Sequence, residues 1–306
     1  MSQSSHEILT PAIAVVREES PAQGLVSDLV MLTKARLTML VLITTFVGFC
    51  MASGGHLDLF ALFNTLLGTA LVAGSASVLN QFIEIKVDRL MERTKVRPLP
   101  SARMLPATAL KIGATMGVAG MIYLACAVNL FAASLALVTW VIYLFLYTPL
   151  KRRTCFCITV GAVSGAIPPM IGWVAAKPSL DAGAWILFGV LFLWQMPHFM
   201  AIAWMYRDEY AQAGFVMLRR NDIGGFSTAI ESLIYAIALF VITLLPAILK
   251  MSGPVYLVGA LLFNAGMLVC AIQFLVIRDR SSARRLFFAS IIYLPFLLGL
   301  LVFTKA

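Results

Sequence analysis

The stretch "LFALFNTLLGTALVAGSASVLNQFIEIKVDRLMERTKVRPLP", residues 59–100, carries the decision about the fold. Residues 59–79 hold no charge, and an apolar helix of about 20 residues crosses a hydrocarbon core roughly 30 Å thick. Glu84, Lys86, Asp88 and Arg89 then crowd the end of the run. Such carboxylates at the edge of a membrane are costly and usually purposeful.

The rest of the chain repeats the apolar part of this pattern. It has 306 residues, 61% hydrophobic and only 12% charged, with a mean hydropathy of +0.93. A soluble domain is about 25% charged, so a water-soluble fold is excluded, and the alternating pattern of a membrane β-barrel is absent. Nine spans are expected, at about 37–54, 59–81, 107–125, 131–149, 156–175, 183–204, 228–248, 254–277 and 286–303. Residues 1–27 lack the features of a cleavable signal peptide and read as a disordered cytoplasmic tail before a single membrane domain, 28–306. The five cysteines are scattered, and Cys155-x-Cys157 lacks zinc or dithiol spacing, so they read as small buried hydrophobes.

Charge sets the expected orientation. Of the 23 Lys and Arg, only Lys177, Lys250 and Lys305 fall in the outer segments when the N-terminus is cytoplasmic, leaving 23 − 3 = 20 inside. The net charge of +9 largely expresses this bias, so it argues for no nucleic-acid partner, although an anionic ligand can use the same charges. The longest and most charged inner loops, 82–106 and 205–227, follow the second and sixth spans. Shorter basic ones follow the fourth and eighth. That period predicts two four-helix pseudo-repeats plus a ninth helix, with the long loops facing each other across a central cavity.

Asn80, Glu84 and Asp88 recur at i, i+4 and i+8, so their oxygens share one helical face. Such a stripe suits Mg²⁺, which binds through one or two carboxylates plus substrate phosphate and water. If the helix continues, Arg89, Arg93 and Arg97 form a second row for diphosphate, since arginine clasps phosphate oxygens bidentately. The bland reading is a solvated helix end with surface ion pairs. In the second long loop, His198 is either a packing residue, an axial ligand to a haem-like iron or a general base. Asp208, with Tyr206 or Tyr210, would complete a second metal or phosphate half-site, and Arg207, Arg219 and Arg220 add positive charge. In "YTPLKRRTCFCITVGAVSGAIPPMIGW", residues 147–173, Pro168-Pro169 should interrupt the fifth span and shape a cavity.

The form N-x-x-x-E-x-x-x-D-x-x-M-x-R-T-x-x-R-P-L-P resembles the first acidic motif of the UbiA superfamily of intramembrane prenyltransferases, and among them the protohaem IX farnesyltransferases. "YTPLKRRT", "GAIPPMIGW", "WQMPHFMAIAW" and "DEYAQAGFVML" are similar to further blocks of that family, in order, and the resemblance covers roughly residues 30–300. It implies an all-α membrane fold of nine helices around a central cavity. It also implies Mg²⁺-dependent transfer of farnesyl from farnesyl diphosphate to a vinyl of protohaem, haem being substrate rather than cofactor. By position, Asn80, Glu84 and Asp88 would hold metal and diphosphate, with Arg93, Arg97, Lys151 and Arg152 on the diphosphate and His198 on the haem side; Arg207 is a further diphosphate candidate, and Tyr206 and Tyr210 are further haem-side candidates. Further partners implied are membrane lipid and a haem A synthase or terminal oxidase assembly, in the cell inner membrane.

Two departures from the family pattern bear on this. Ala35 stands in "KARLT" where proline is usual, and "YRDEY" lacks the spaced aspartates of phenolic-acceptor relatives. A prenyltransferase acting on a phenolic ring and an anion transporter remain the alternatives. An allylic cation would need aromatic walls, for which Phe82, Trp194, Phe199 and Tyr206 are candidates.

Overall fold

Nine long apolar helices traverse the described residues of the computed structural model, which describes residues 24–305. In chain order the elements are α1 (Leu25–Leu32), α2 (Ala35–Ala52), α3 (Leu59–Asp88), α4 (Pro106–Ala127), α5 (Leu130–Leu150), α6 (Cys157–Ala176), α7 (Ala182–Met205), α8 (Arg207–Gln212), α9 (Phe226–Ile248), α10 (Pro254–Ile277) and α11 (Arg280–Phe303). All but α1 and α8 have the length and hydropathy to cross a membrane. Apolar residues left exposed on them, among them Leu40, Phe63, Val118, Leu262 and Phe296, form the surface a bilayer would cover.

Three boundaries differ from the sequence reading. Helix α3 runs to Asp88 over 30 residues, so it is about 45 Å long, about 15 Å more than the hydrocarbon thickness of about 30 Å. Asn80, Glu84 and Asp88 are therefore all helical, within the last three turns of α3. Helix α11 begins six residues early, at Arg280, because Asp279 caps it by accepting from Ser282 N. The tail expected over 1–27 lies outside the described residues except at its end, where α1 already begins at Leu25. Asp28 of α1 is buried and takes two nitrogens of Arg103, at 2.9 and 3.1 Å to Oδ1, which clasps α1 to the loop before α4.

Close backbone approach holds the centre together. An added Cβ on Gly48 would strike the Pro169 carbonyl, and one on Gly172 would strike that of Thr45. α2 and the second half of α6 thus pack backbone to backbone, as small residues permit between membrane helices. α6 breaks at Ile167, where Pro168-Pro169 cannot sustain the hydrogen-bond ladder, and Pro168 lines the central cavity. On the far side, Lys305 Nζ donates to the carbonyls of Cys50 (2.8 Å) and Ser53, placing a cation at the C-terminal end of α2. Of the cysteines only Cys157 is buried, while Cys126 is exposed on an apolar span and the other three are half-buried.

Candidate active site

A cavity of about 340 Å³ opens among α2, α3, α5, α6 and α7, within the usual range for small-molecule sites. Its walls are mostly apolar or aromatic, including Leu37, Val41, Ile158, Tyr143, Tyr147 and Phe199, with Thr139, Ser164 and Gln195 among the polar exceptions. Its charged groups gather at one end: Glu84 and Asp88 from α3, Lys34 before α2, Arg93 and Arg97 after α3, and Lys151 after α5. Four cations against two carboxylates leave a net of +2, suited to a polyanion.

Each polar group on the α3 stripe is buried and already partnered. Lys151 Nζ lies 2.9 and 3.0 Å from the two oxygens of Glu84, whose Oε2 also accepts from Asn80 Nδ2 at 2.9 Å. Asn80 Oδ1 accepts from Lys34 Nζ at 2.8 Å, and Asn80 Nδ2 reaches Thr148 Oγ1 at 3.0 Å. Arg97 donates to Asp88 Oδ2 at 2.7 Å. Lys34 adopts φ 48°, a left-handed conformation uncommon for a side-chain-bearing residue, at the junction of α1 and α2. Lys151 sits 4.6 Å from the Tyr147 ring and 5.7 Å from that of Phe215. Burial by itself would lower its ammonium; Tyr147 and Glu84 outweigh that and hold it above the ordinary lysine value.

The arginine row expected from helical continuation does not form, because α3 ends at Asp88. Thr94 Oγ1 takes the Asp88 carbonyl at 2.7 Å, and Pro98 and Pro100 follow. The chain turns back instead. Arg97 returns to Asp88, and Arg93 donates to Tyr210 Oη at 3.3 Å, while Arg89 stays exposed and away from the cavity. The two long loops do meet, through Val87 and Met91 against Ala213 and Phe215, with Tyr210 alongside.

Other expected residues divide. Tyr210 lines the cavity. Tyr206 lies beside it, its ring shared by Arg93 at 5.4 Å and Arg280 at 6.0 Å. Arg152 is exposed, and Arg207 stacks on Trp204 at 4.3 Å, so neither lines the cavity. The Asp208 side chain is 88% exposed and pairs with Arg207 at 3.7 Å, whereas Glu209 Oε2 is buried without a hydrogen-bond partner among the described residues. His198 is outside the cavity lining. Its ring packs between Trp194 and Phe287, each 5.0 Å away, and its neighbour Phe199 forms part of the cavity wall. Of the aromatic candidates, Phe199 lines the cavity and Phe82, Trp194 and Tyr206 do not. Lys34, Thr94, Tyr143, Tyr147 and Gln195 are lining residues that sequence reasoning did not single out for the site. Only the left-handed Lys34 sits in a stretch, "KARLT", that departs from the family pattern.

The donor set fits magnesium in one particular way. Two carboxylates and an amide oxygen on one buried face are the hard ligands the ion prefers. Among the described residues no group of three or more His, Cys, Asp or Glu can enclose a metal by itself. Asn80, Glu84 and Asp88 would hold the ion only with phosphate oxygens and water completing its shell.

Residues 41–292 match the UbiA prenyltransferase family. The chain is 44% identical over 287 residues to a protoheme IX farnesyltransferase of Solibacter usitatus, covering 91% of this chain and 98% of that one. It is 42% identical to the protoheme IX farnesyltransferase of Myxococcus xanthus, covering 91% and 95%. In fold it is similar to a solved digeranylgeranylglyceryl phosphate synthase, with a TM-score of 0.78 at 17% identity over 91% of this chain and 98% of that one. It is also similar to a UbiA homolog from Archaeoglobus fulgidus bound to GPP and Mg²⁺, with a TM-score of 0.63 at 12% identity, covering 90% and 99%.

Proposed function

Because the chain belongs to the UbiA prenyltransferase family, we propose that it transfers farnesyl from farnesyl diphosphate to a vinyl group of protohaem IX, yielding haem O and diphosphate. The observation that carries this reading is the buried stripe of Asn80, Glu84 and Asp88, ringed by Lys34, Arg93, Arg97 and Lys151, at one end of an otherwise mostly apolar cavity. A diphosphate seats among the cations, and its prenyl chain lies along Leu37, Val41 and Ile158.

In this reading the farnesyl C1–O bond breaks and its electron pair leaves with diphosphate. Lys151, Arg93 and Arg97 are positioned for the charge that develops there. Magnesium, when bound with the substrate, supplies further electrostatic neutralisation of that leaving group. Tyr143, Tyr147 and Phe199 present aromatic rings to the allylic cation and help exclude bulk water. The vinyl π electrons then form the new C–C bond. Water adds to the resulting porphyrin-side cation and loses a proton, leaving the hydroxyl. His198 serves the haem side, one residue behind Phe199.

The charge bias supports a bacterial inner membrane, with the N-terminus and active site cytoplasmic and the C-terminus outside. A haem A synthase or terminal oxidase assembly is the natural recipient of the product.

The test is purified protein in detergent with farnesyl diphosphate, Mg²⁺ and either protohaem or a phenolic acid, scored for diphosphate release and prenylated product. Release is expected with haem and lost on chelation, and Asp88→Ala should abolish it in folded protein. Near-normal turnover by Asp88→Ala sinks the metal assignment. Product from the phenol alone favours the phenolic-acceptor reading, and diphosphate movement across liposomes without cleavage favours transport.

A further inference from the structure

The hydrogen bonds around His198 determine which of its ring nitrogens is available. Ser290 Oγ on α11 lies 2.7 Å from His198 Nδ1 and donates its single proton to the Phe287 carbonyl at 2.6 Å. It has no second proton to offer, so it must accept one from Nδ1. The imidazole is therefore the Nδ1–H tautomer, and its lone pair resides on Nε2. The Trp194 and Phe287 rings lie against it at 23° and 30° to its plane, and Trp194 Nε1 donates to the Ser290 carbonyl at 2.8 Å. Nε2 finds no hydrogen-bond partner among the described residues.

A fixed nitrogen lone pair walled by aromatic rings at a half-buried position calls for an electron-pair acceptor set in a flat apolar body. The same helix offers the complement for a carboxylated ligand. Arg280, Arg284 and Phe287 recur at i, i+4 and i+7, so they share one stripe of α11. Arg284 lies about 9 Å along the axis from Ser290. Neither arginine has a carboxylate within salt-bridge distance among the described residues; Arg280 faces the Tyr206 ring and Arg284 the Phe288 ring at 5.5 Å. Tyr206 joins this stripe to the donor cavity, because Arg93 packs on the same ring. Phe199, edge-on to His198 at 5.4 Å, is the other point of contact between the two regions.

We infer that the α7/α11 face is the docking site for the acceptor tetrapyrrole: Ser290 positions His198 so that Nε2 meets the metal, and Arg280 and Arg284 receive the carboxylates. The inference rests on the haem-farnesylation reading and adds to it a location outside the donor cavity, a positioning residue and an anion anchor. Substrate meets the prenyl donor across Phe199.

The experiment titrates detergent-purified wild type and variants with ferric protohaem, its dimethyl ester and metal-free protoporphyrin, following the Soret band. Wild type should show a nitrogen-ligated spectrum that His198→Ala loses. Ser290→Ala should weaken binding about tenfold and shift the band, as loss of a group that orients a metal ligand does, and Ser290→Thr should restore both. Arg280→Gln with Arg284→Gln should weaken the diacid at least tenfold and leave the ester unaffected. Thermal unfolding verifies that each variant is folded. An unchanged spectrum in folded Ser290→Ala, or equal wild-type affinity for diacid and ester, overturns the site. If wild type still farnesylates haem in that event, the function stands and the location falls. If wild type gives no haem-dependent diphosphate release, the functional reading falls with it.

Discussion

Replacing Lys151 with methionine keeps the aliphatic stem and removes the ammonium that holds both oxygens of Glu84. The two side chains are 13% and 8% exposed, so the carboxylate would be left charged, buried and supported by the Asn80 amide alone. Removing one partner of a buried pair costs about 3–5 kcal/mol. The surviving Asn80 hydrogen bond and the partial exposure of Lys151 put the expectation at the lower end, about 3 kcal/mol. For a chain of this size, at about 2 °C per kcal/mol, the melting temperature should fall by about 6 °C. Glu84→Gln in the same background removes the orphaned charge and should return at least half of that loss. Thermal unfolding of detergent-solubilised protein, followed by tryptophan fluorescence, reads the full double-mutant cycle. All three variants should fail to release diphosphate, which separates the stability readout from the chemistry. A double mutant as unstable as the sum of the single ones would refute the coupling.

Asp208→Asn should keep its rate within about twofold of wild type, since that side chain is almost fully exposed; a tenfold fall would return Asp208 to the metal. Gly48→Leu should destabilise the protein by about 1–3 kcal/mol or prevent its folding, because the new side chain meets the Pro169 backbone, and an unchanged melting temperature would contradict the close approach of α2 and α6. Asp28→Asn breaks the clasp to Arg103 and should speed proteolysis within residues 89–105 severalfold; an unaltered cleavage rate would show that α1 does not restrain that loop.

Much of this architecture could be read from residue order alone. Nine spans are visible because each needs about 20 apolar residues, a constraint a bilayer imposes on every crossing. The stripe of Asn80, Glu84 and Asp88 was equally legible, since helical spacing puts the three on one face whatever surrounds them. The arginines were harder. Helical spacing placed Arg89, Arg93 and Arg97 in a row, but the Thr94 hydroxyl bonds the Asp88 carbonyl and the chain reverses, so that Arg97 and Arg93 reach the cavity by a path no period encodes. Lys34 and Lys151 come from segments 46 and 67 residues away from their partners on α3. The family resemblance already sets Lys151 on the diphosphate, but for Lys34 only the packing of α2 on α3 shows that it belongs to the same site. Asp208 and Glu209 are adjacent in sequence, and helix rotation alone decides that one faces solvent and the other hides an oxygen.

The pairing of every acid in the cavity with a base has a thermodynamic consequence. A metal arriving alone must displace Lys151 from Glu84 and Arg97 from Asp88, stranding two cations; a diphosphate arriving alone must strip the carboxylates of the same partners. Arriving together they exchange partners, the metal inheriting the acids and the anion inheriting the bases. Magnesium and prenyl diphosphate should accordingly bind with positive cooperativity, each raising the other's affinity by the same factor. With neither present Lys151 and Arg97 serve as internal counterions to the two acids, while Lys34 and Arg93 keep the excess positive charge that draws the anion in.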